Sequence, residues 1–67
     1  MRQYKYTNRQ ITELIDDHIH SERNRQILKR RLVDGLTYDE LAFEFKLDAR
    51  HIKTIVYKAM ETLSEYL

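Results

Sequence analysis

Within Ala49-Arg50-His51-Ile52-Lys53-Thr54 two cations stand three residues apart, with a hydroxyl beside them and an apolar residue between. On a helix that spacing puts Arg50 and Lys53 on one side and turns Ile52 away from them. Exposed arginine and lysine carry donors that match the O6 and N7 acceptors of guanine. Ala49 and the Thr54 methyl suit the methyl group of thymine. This is the chemistry of reading base edges rather than of breaking bonds. A second string, Asp16-Asp17-His18-Ile19-His20, has metal-binding residue types but the wrong spacing. His18 and His20 lie two apart and face different ways on a helix, so they share no ligand point. His18 falls on an apolar stripe and is expected at the edge of the core. No Ser-His-Asp or Cys-His arrangement, no paired buried carboxylates and no phosphate-cradling glycine loop is visible. A chain of 67 residues also has little room for a substrate pocket. The sequence therefore predicts no enzyme, no metal, no cofactor and no small-molecule substrate.

Composition narrows the setting. The chain is near the lower limit for folding on a hydrophobic core alone, and with no cysteine it has no disulfide to staple it. No apolar run approaches the roughly 20 residues that span a bilayer, and no signal-peptide core follows Met1-Arg2-Gln3. A single soluble cytoplasmic domain over 1–67 is expected, with no membrane partner. The net charge of +1 hides a segregation. Arg23, Arg25, Lys29, Arg30 and Arg31 follow one another without an acid, and Lys46, Arg50, Lys53 and Lys58 are opposed in sequence by Asp48 alone. Acids cluster elsewhere, at Glu13, Asp16 and Asp17, at Asp39, Glu40 and Glu44, and at Glu61 and Glu65. Separated charge lets a nearly neutral domain present a positive face to a polyanion.

Four helices must position these groups. Strand signals are weak, the only alternation being Gln3-Tyr4-Lys5-Tyr6. Thr7-Asn8-Arg9-Gln10 has capping-box form and precedes Ile11, Leu14, Ile15, His18 and Ile19 on one face. Ser21-Glu22 starts a second helix with Ile27, Leu28 and Leu32 as its stripe, ended by Asp34-Gly35. Thr37-Tyr38-Asp39-Glu40 is another capping box, opening a short helix with Leu41, Ala42 and Phe45. The chain then turns through Lys46 and Leu47. It restarts at Asp48, whose carboxylate is expected to accept from the N–H of Arg50 or His51. The last helix carries Ile52, Ile55, Val56, Ala59, Met60, Leu63 and Leu67 on a broad apolar face. Ala42 allows close approach of the two last helices, and Leu47 plugs the angle between them. Two helices joined by so short a turn form a helix-turn-helix over 37–66, its second helix free to enter a major groove. The predicted fold is all-α: a compact four-helix domain with a C-terminal helix-turn-helix and a long recognition helix.

The stretch from Glu22 to Leu63, ERNRQILKRRLVDGLTYDELAFEFKLDARHIKTIVYKAMETL, resembles region 4 of the sigma-70 family of transcription factors. It also resembles the related helix-turn-helix domains of small phage and prophage regulators. ILKRRLVDGLTYDELA is similar to the family's helix and Gly-Leu-Thr-Tyr turn. LDARHIKTIVYKAMETL is similar to its recognition helix, with Ile52, Lys53, Ile55 and Lys58-Ala59 at matching places. Two departures stand out. Lys46 occupies the turn position where many helix-turn-helix proteins carry glycine, so a left-handed lysine is expected there. The chain begins only about twenty residues before the match, which implies that it lacks the parts of a complete sigma factor that grip polymerase and melt the promoter.

The resemblance implies a sequence-specific DNA-binding transcriptional regulator with double-stranded DNA as partner. It equally allows a module that docks on RNA polymerase or a sigma factor without reading DNA, because region 4 in the family also contacts the polymerase. Base-reading places of the family fall on Ala49, Arg50, Lys53 and Thr54, with Ala49 standing where the family more often has a long polar residue. His51 and Tyr57 flank them. Phosphates are expected at Thr37 and Tyr38 on the N-terminus of the third helix, and at Lys29, Arg31, Lys46 and Lys58. Arg31 has a rival role in pairing with Glu40. Residues 1–6 form an N-terminal arm that either enters a minor groove or lays Tyr4 and Tyr6 on the first helix. Leu63, Tyr66 and Leu67 extend the last stripe and are expected to support a weak homodimer, unless the first helix absorbs the whole of it.

Overall fold

A computed structural model of the chain describes residues 6–67. Apart from Tyr6, the N-terminal arm expected at 1–6 lies outside the described residues. Four helices follow in order: α1 (Asn8–His18), α2 (Glu22–Leu32), α3 (Tyr38–Phe45) and α4 (Ala49–Leu63). No strand occurs among the described residues.

Each helix starts where its hydroxyl or carboxylate predicts. Thr7 and Thr37 both complete capping boxes, with Gln10 and Glu40 returning the bond to the cap's own N–H. Ser21 Oγ accepts from the Asn24 N–H. Asp48 differs. It is the N-cap of α4 and its carbonyl accepts from Ile52, but its carboxylate makes no capping hydrogen bond. The start of α4 is fixed instead by the turn before it. Lys46 sits at φ 58° and ψ 45°, the left-handed conformation expected there, and Leu47 N–H donates to the Ala42 carbonyl. Leu47 itself packs against the core beside Ala42 and Phe45. The preceding turn uses glycine for the same purpose: Gly35, at φ 78°, lets the chain reverse between α2 and α3.

All four helices feed one core. Ile15, Ile27, Leu28, Leu41 and Ile52 are fully buried and Leu63 nearly so, with Ile19, Ile55, Val56 and Ala59 around them. Ile11 and Leu14 of α1 pack on this core with Met60 of α4, so the first helix covers most of the long apolar face. Leu67 lies at the edge of that face, lining a small apolar cavity with Ile11, Leu14, Met60 and Leu63. α4 ends at Leu63, the chain turns, and Leu67 is 44% exposed. No helix among the described residues is long and apolar enough to cross a membrane.

Candidate nucleic-acid interface

Burying Ile52, Ile55, Val56 and Ala59 forces the opposite side of α4 outward. Arg50, His51, Lys53, Thr54, Tyr57 and Lys58 are accordingly exposed, and Ala49 is half-buried at the helix start. Thr54 Oγ1 donates to the Arg50 carbonyl at 3.2 Å, so its hydroxyl is turned back onto the helix. The expected base-reading residues thus share one end of α4.

Tyr38, the first residue of α3, connects this face to the rest of the domain. Its ring meets Tyr57 edge-on at 6.4 Å, and the Arg31 guanidinium lies 4.2 Å over its centre. Lys53 Nζ stands 5.7 Å from the same ring. Two cations held by one aromatic ring lose rotamer freedom that ligand binding would otherwise have to remove. Arg31 also donates to the Leu36 carbonyl at 2.8 Å, bracing the turn into α3. The alternative pairing of Arg31 with Glu40 does not form, because Glu40 closes the capping box on Thr37 at 2.8 Å. α2 and α3 are joined instead by Arg30, whose guanidinium reaches both oxygens of Glu44 at 2.7 and 2.9 Å and Asp34 at 2.9 Å. Arg30 beside it holds the Glu44 carboxyl below the usual range, and the two acids push Arg30 up.

Two expected phosphate contacts are otherwise engaged. Lys29 pairs with Asp16 of α1 at 2.8 Å and is only 27% exposed, so its charge ties two helices together. Thr37 spends its N–H and its hydroxyl on Glu40, and the carboxylate of Glu40 already occupies the place an anion would take at the start of α3. Tyr38 remains available there, as does Lys46 in the turn.

The pattern of ion pairs separates the two kinds of cation. Arg9, Arg25, Lys29 and Arg30 are each paired with acids. Among the described residues, Lys46, Arg50, Lys53 and Lys58 are paired with none. Acids therefore neutralise most cations of α1 and α2, Arg23 and Arg31 excepted, and leave those of the turn and α4 uncompensated. The family model for sigma-70, region 4 matches residues 21–65. The chain belongs to the sigma-70 region 4 family. No curated protein and no solved structure gives a significant match. Region 4 domains bind DNA and the core of RNA polymerase, and in this region 4 domain Arg50, Lys53 and Lys58 of the helix that the helix-turn-helix leaves free carry no ion pair.

Two surface features escape the sequence reading. Tyr38 was expected as a phosphate contact, yet its ring also organises Arg31, Lys53 and Tyr57. Phe43 is 87% exposed on the outer side of α3, near Asp39, Glu40 and Glu44. Its position two residues from both Leu41 and Phe45 takes it off the buried stripe, which is the signal that could have found it. Of the three residues expected at a dimer contact, Leu63 is in the core at 2% exposure, while Tyr66 and Leu67 are on the surface. Among the described residues no group of His, Cys, Asp or Glu is placed to hold a metal ion.

Proposed function

We propose that this chain is a cytoplasmic, sequence-specific DNA-binding transcriptional regulator that lays α4, from Ala49 onward, in the major groove of double-stranded DNA. Arg50 and Lys53 donate to guanine edges, and Ala49 and the Thr54 methyl touch thymine methyls. Tyr38, Arg31, Lys46, His51, Tyr57 and Lys58 hold the flanking phosphates. The observation that carries this reading is the uncompensated charge of Arg50, Lys53 and Lys58 on a helix whose other side is buried, with Lys46 unpaired in the turn before it. A weak homodimer through Tyr66 and Leu67 would add a second half-site. The test is selection of bound duplexes from a random pool, followed by Arg50→Ala and Lys53→Ala. Selection of a defined site, with each substitution relaxing preference at one position by about 1–3 kcal/mol, supports the reading. Recovery of no preferred site overturns it.

A second reading is docking on RNA polymerase or a sigma factor without reading DNA, and one observation favours it. The α3 surface around Phe43 is aromatic and acidic, which suits a basic protein surface and repels DNA. Under that reading Phe43→Ala weakens polymerase binding and Arg50→Ala leaves it unchanged.

A further inference from the structure

The chain has three histidines, and all three line one groove. The groove, about 420 Å³, runs between the α1–α2 turn and the flank of α4. Its walls carry His18, His20 and Arg23 on one side and His51 and Lys58 on the other, and no acidic side chain lines it. On α4, His51, Ile55, Lys58 and Thr62 recur four, three and four residues apart, a stripe centred roughly a third of a turn from Arg50, Lys53 and Tyr57. Tyr38 and Arg31 border the reading face on its other edge. The recognition face of α4 is thus flanked on both sides, as a major groove is flanked by two phosphate strands.

The turn that forms the far wall is fixed. Arg25 donates to the carbonyls of Ile19 and His20 at 2.8 and 2.9 Å, and Ser21 caps α2. The acid of that turn, Glu22, is bound to Arg25 and Gln26 rather than directed into the groove. Arg23 donates to Asn24 and forms no ion pair, and Lys58 forms none. Charged and titratable groups facing the imidazoles are therefore His18 from α1, Arg23 from α2 and Lys58 from α4, with Tyr66 stacked on His18 at 3.6 Å. The three histidines do not converge on a point that would hold a metal ion. They are spread along a trough whose lining includes the cations Arg23 and Lys58 and no carboxylate.

We propose that this groove seats a backbone phosphate of the bound duplex, and that protonation of His20 and His51 sets how tightly it does so. Neutral imidazole offers one N–H and protonated imidazole two with a positive charge, so a phosphate favours the protonated form. With no acid in the groove to stabilise those protons beforehand, the phosphate supplies the counter-charge. Duplex affinity then rises as pH falls through the imidazole range. The inference rests on the proposed DNA binding and adds to it a pH-responsive contact outside the base-reading face.

The test is fluorescence anisotropy of the full chain with a labelled duplex, titrated against salt at about pH 8 and about pH 6, near either side of the histidine range. The salt slope of the wild type should steepen by about 0.9 at the lower pH, the increment for one added phosphate contact. His20→Gln with His51→Gln should remove that change. Circular dichroism at both pH values confirms that the variant is folded. Selective binding with the same slope at both pH values, or a change that survives the double substitution, overturns the groove and leaves the DNA-reading proposal standing. A pH-dependent slope without sequence preference supports the groove and overturns base reading. Absence of duplex binding overturns both. Inorganic phosphate provides the remaining arm: imidazole resonances moved by free phosphate but not by duplex overturn the backbone assignment.

Discussion

Lys46 bends the chain where a glycine would do so without strain. Its left-handed backbone, φ 58° and ψ 45°, costs a residue with a Cβ roughly 1 kcal/mol. Lys46→Gly removes that cost but gives the unfolded chain more freedom, so the net gain expected in urea unfolding is about 0.5 kcal/mol. The same substitution deletes an unpaired cation from the turn and should lower the salt slope of duplex binding by about 0.9. A loss of stability would mean that the lysine stem packs more favourably than its backbone strains. The caps give a contrasting pair. Thr37 accepts from Glu40 N–H at 3.1 Å, and Thr37→Ala should cost about 1 kcal/mol. The Asp48 carboxylate makes no such bond, so only its favourable charge at the helix start is lost in Asp48→Ala, about 0.3 kcal/mol. Equal losses at the two caps in parallel denaturation curves would contradict this.

Between elements, the join of α2 to α3 depends on Arg30 with Glu44 and Asp34. The Glu44 carboxyl is lowered in the fold chiefly by its hydrogen bonds from Arg30. Its contribution is therefore present above the unfolded glutamate range, about pH 4.3, and is lost as pH falls through the lower folded value. Glu22, lowered by Arg25, behaves the same way. Melting temperature measured from pH 7 downward should fall on this acid limb, and Glu44→Gln should flatten it while lowering the plateau. An unchanged limb would mean the pair adds no stability in solution. Sequence spacing disclosed the four helices, because capping residues and apolar stripes are local signals. It also disclosed the left-handed turn, since one residue there had to reverse the chain. It offered Arg31 with Glu40 as a link between α2 and α3, in rivalry with a phosphate contact of Arg31, where the structure joins them through Arg30 and Glu44. Adjacent residues on a helix point about 100° apart, so choosing Arg30 over Arg31 required the packing angle of α2 on α3. The pairing of Lys29 with Asp16 was not legible for the same reason, as the two lie on different helices. Thr37 is a different case. The capping box was legible, but the fact that Glu40 then fills the anion's place follows only when both bonds are counted together.

For the whole molecule, what is left uncovered decides assembly. The apolar end of α4 that invited a dimer is largely used within the chain. Leu63 is in the core, Tyr66 stacks on His18 at 3.6 Å with the rings 9° apart, and the Leu67 carbonyl accepts from the Tyr6 hydroxyl at 2.9 Å. The outer halves of Tyr66 and Leu67 amount to far less than the roughly 800 Å² per partner of a stable interface. Self-association through them should be weak, with a Kd no tighter than about 0.1 mM, near −5.5 kcal/mol. Sedimentation velocity at micromolar concentration is expected to give a monomer, with dimer visible only as concentration approaches that value. Tyr66→Ala separates the two uses of the residue. Losing the stack on His18 should cost about 1 kcal/mol, which lowers the melting temperature by about 4–8 °C in a domain of this size. The micromolar sedimentation coefficient should not change. A wild type already dimeric at micromolar concentration would place the contact on a larger surface, and the exposed face around Phe43 is where Phe43→Asp would then break it.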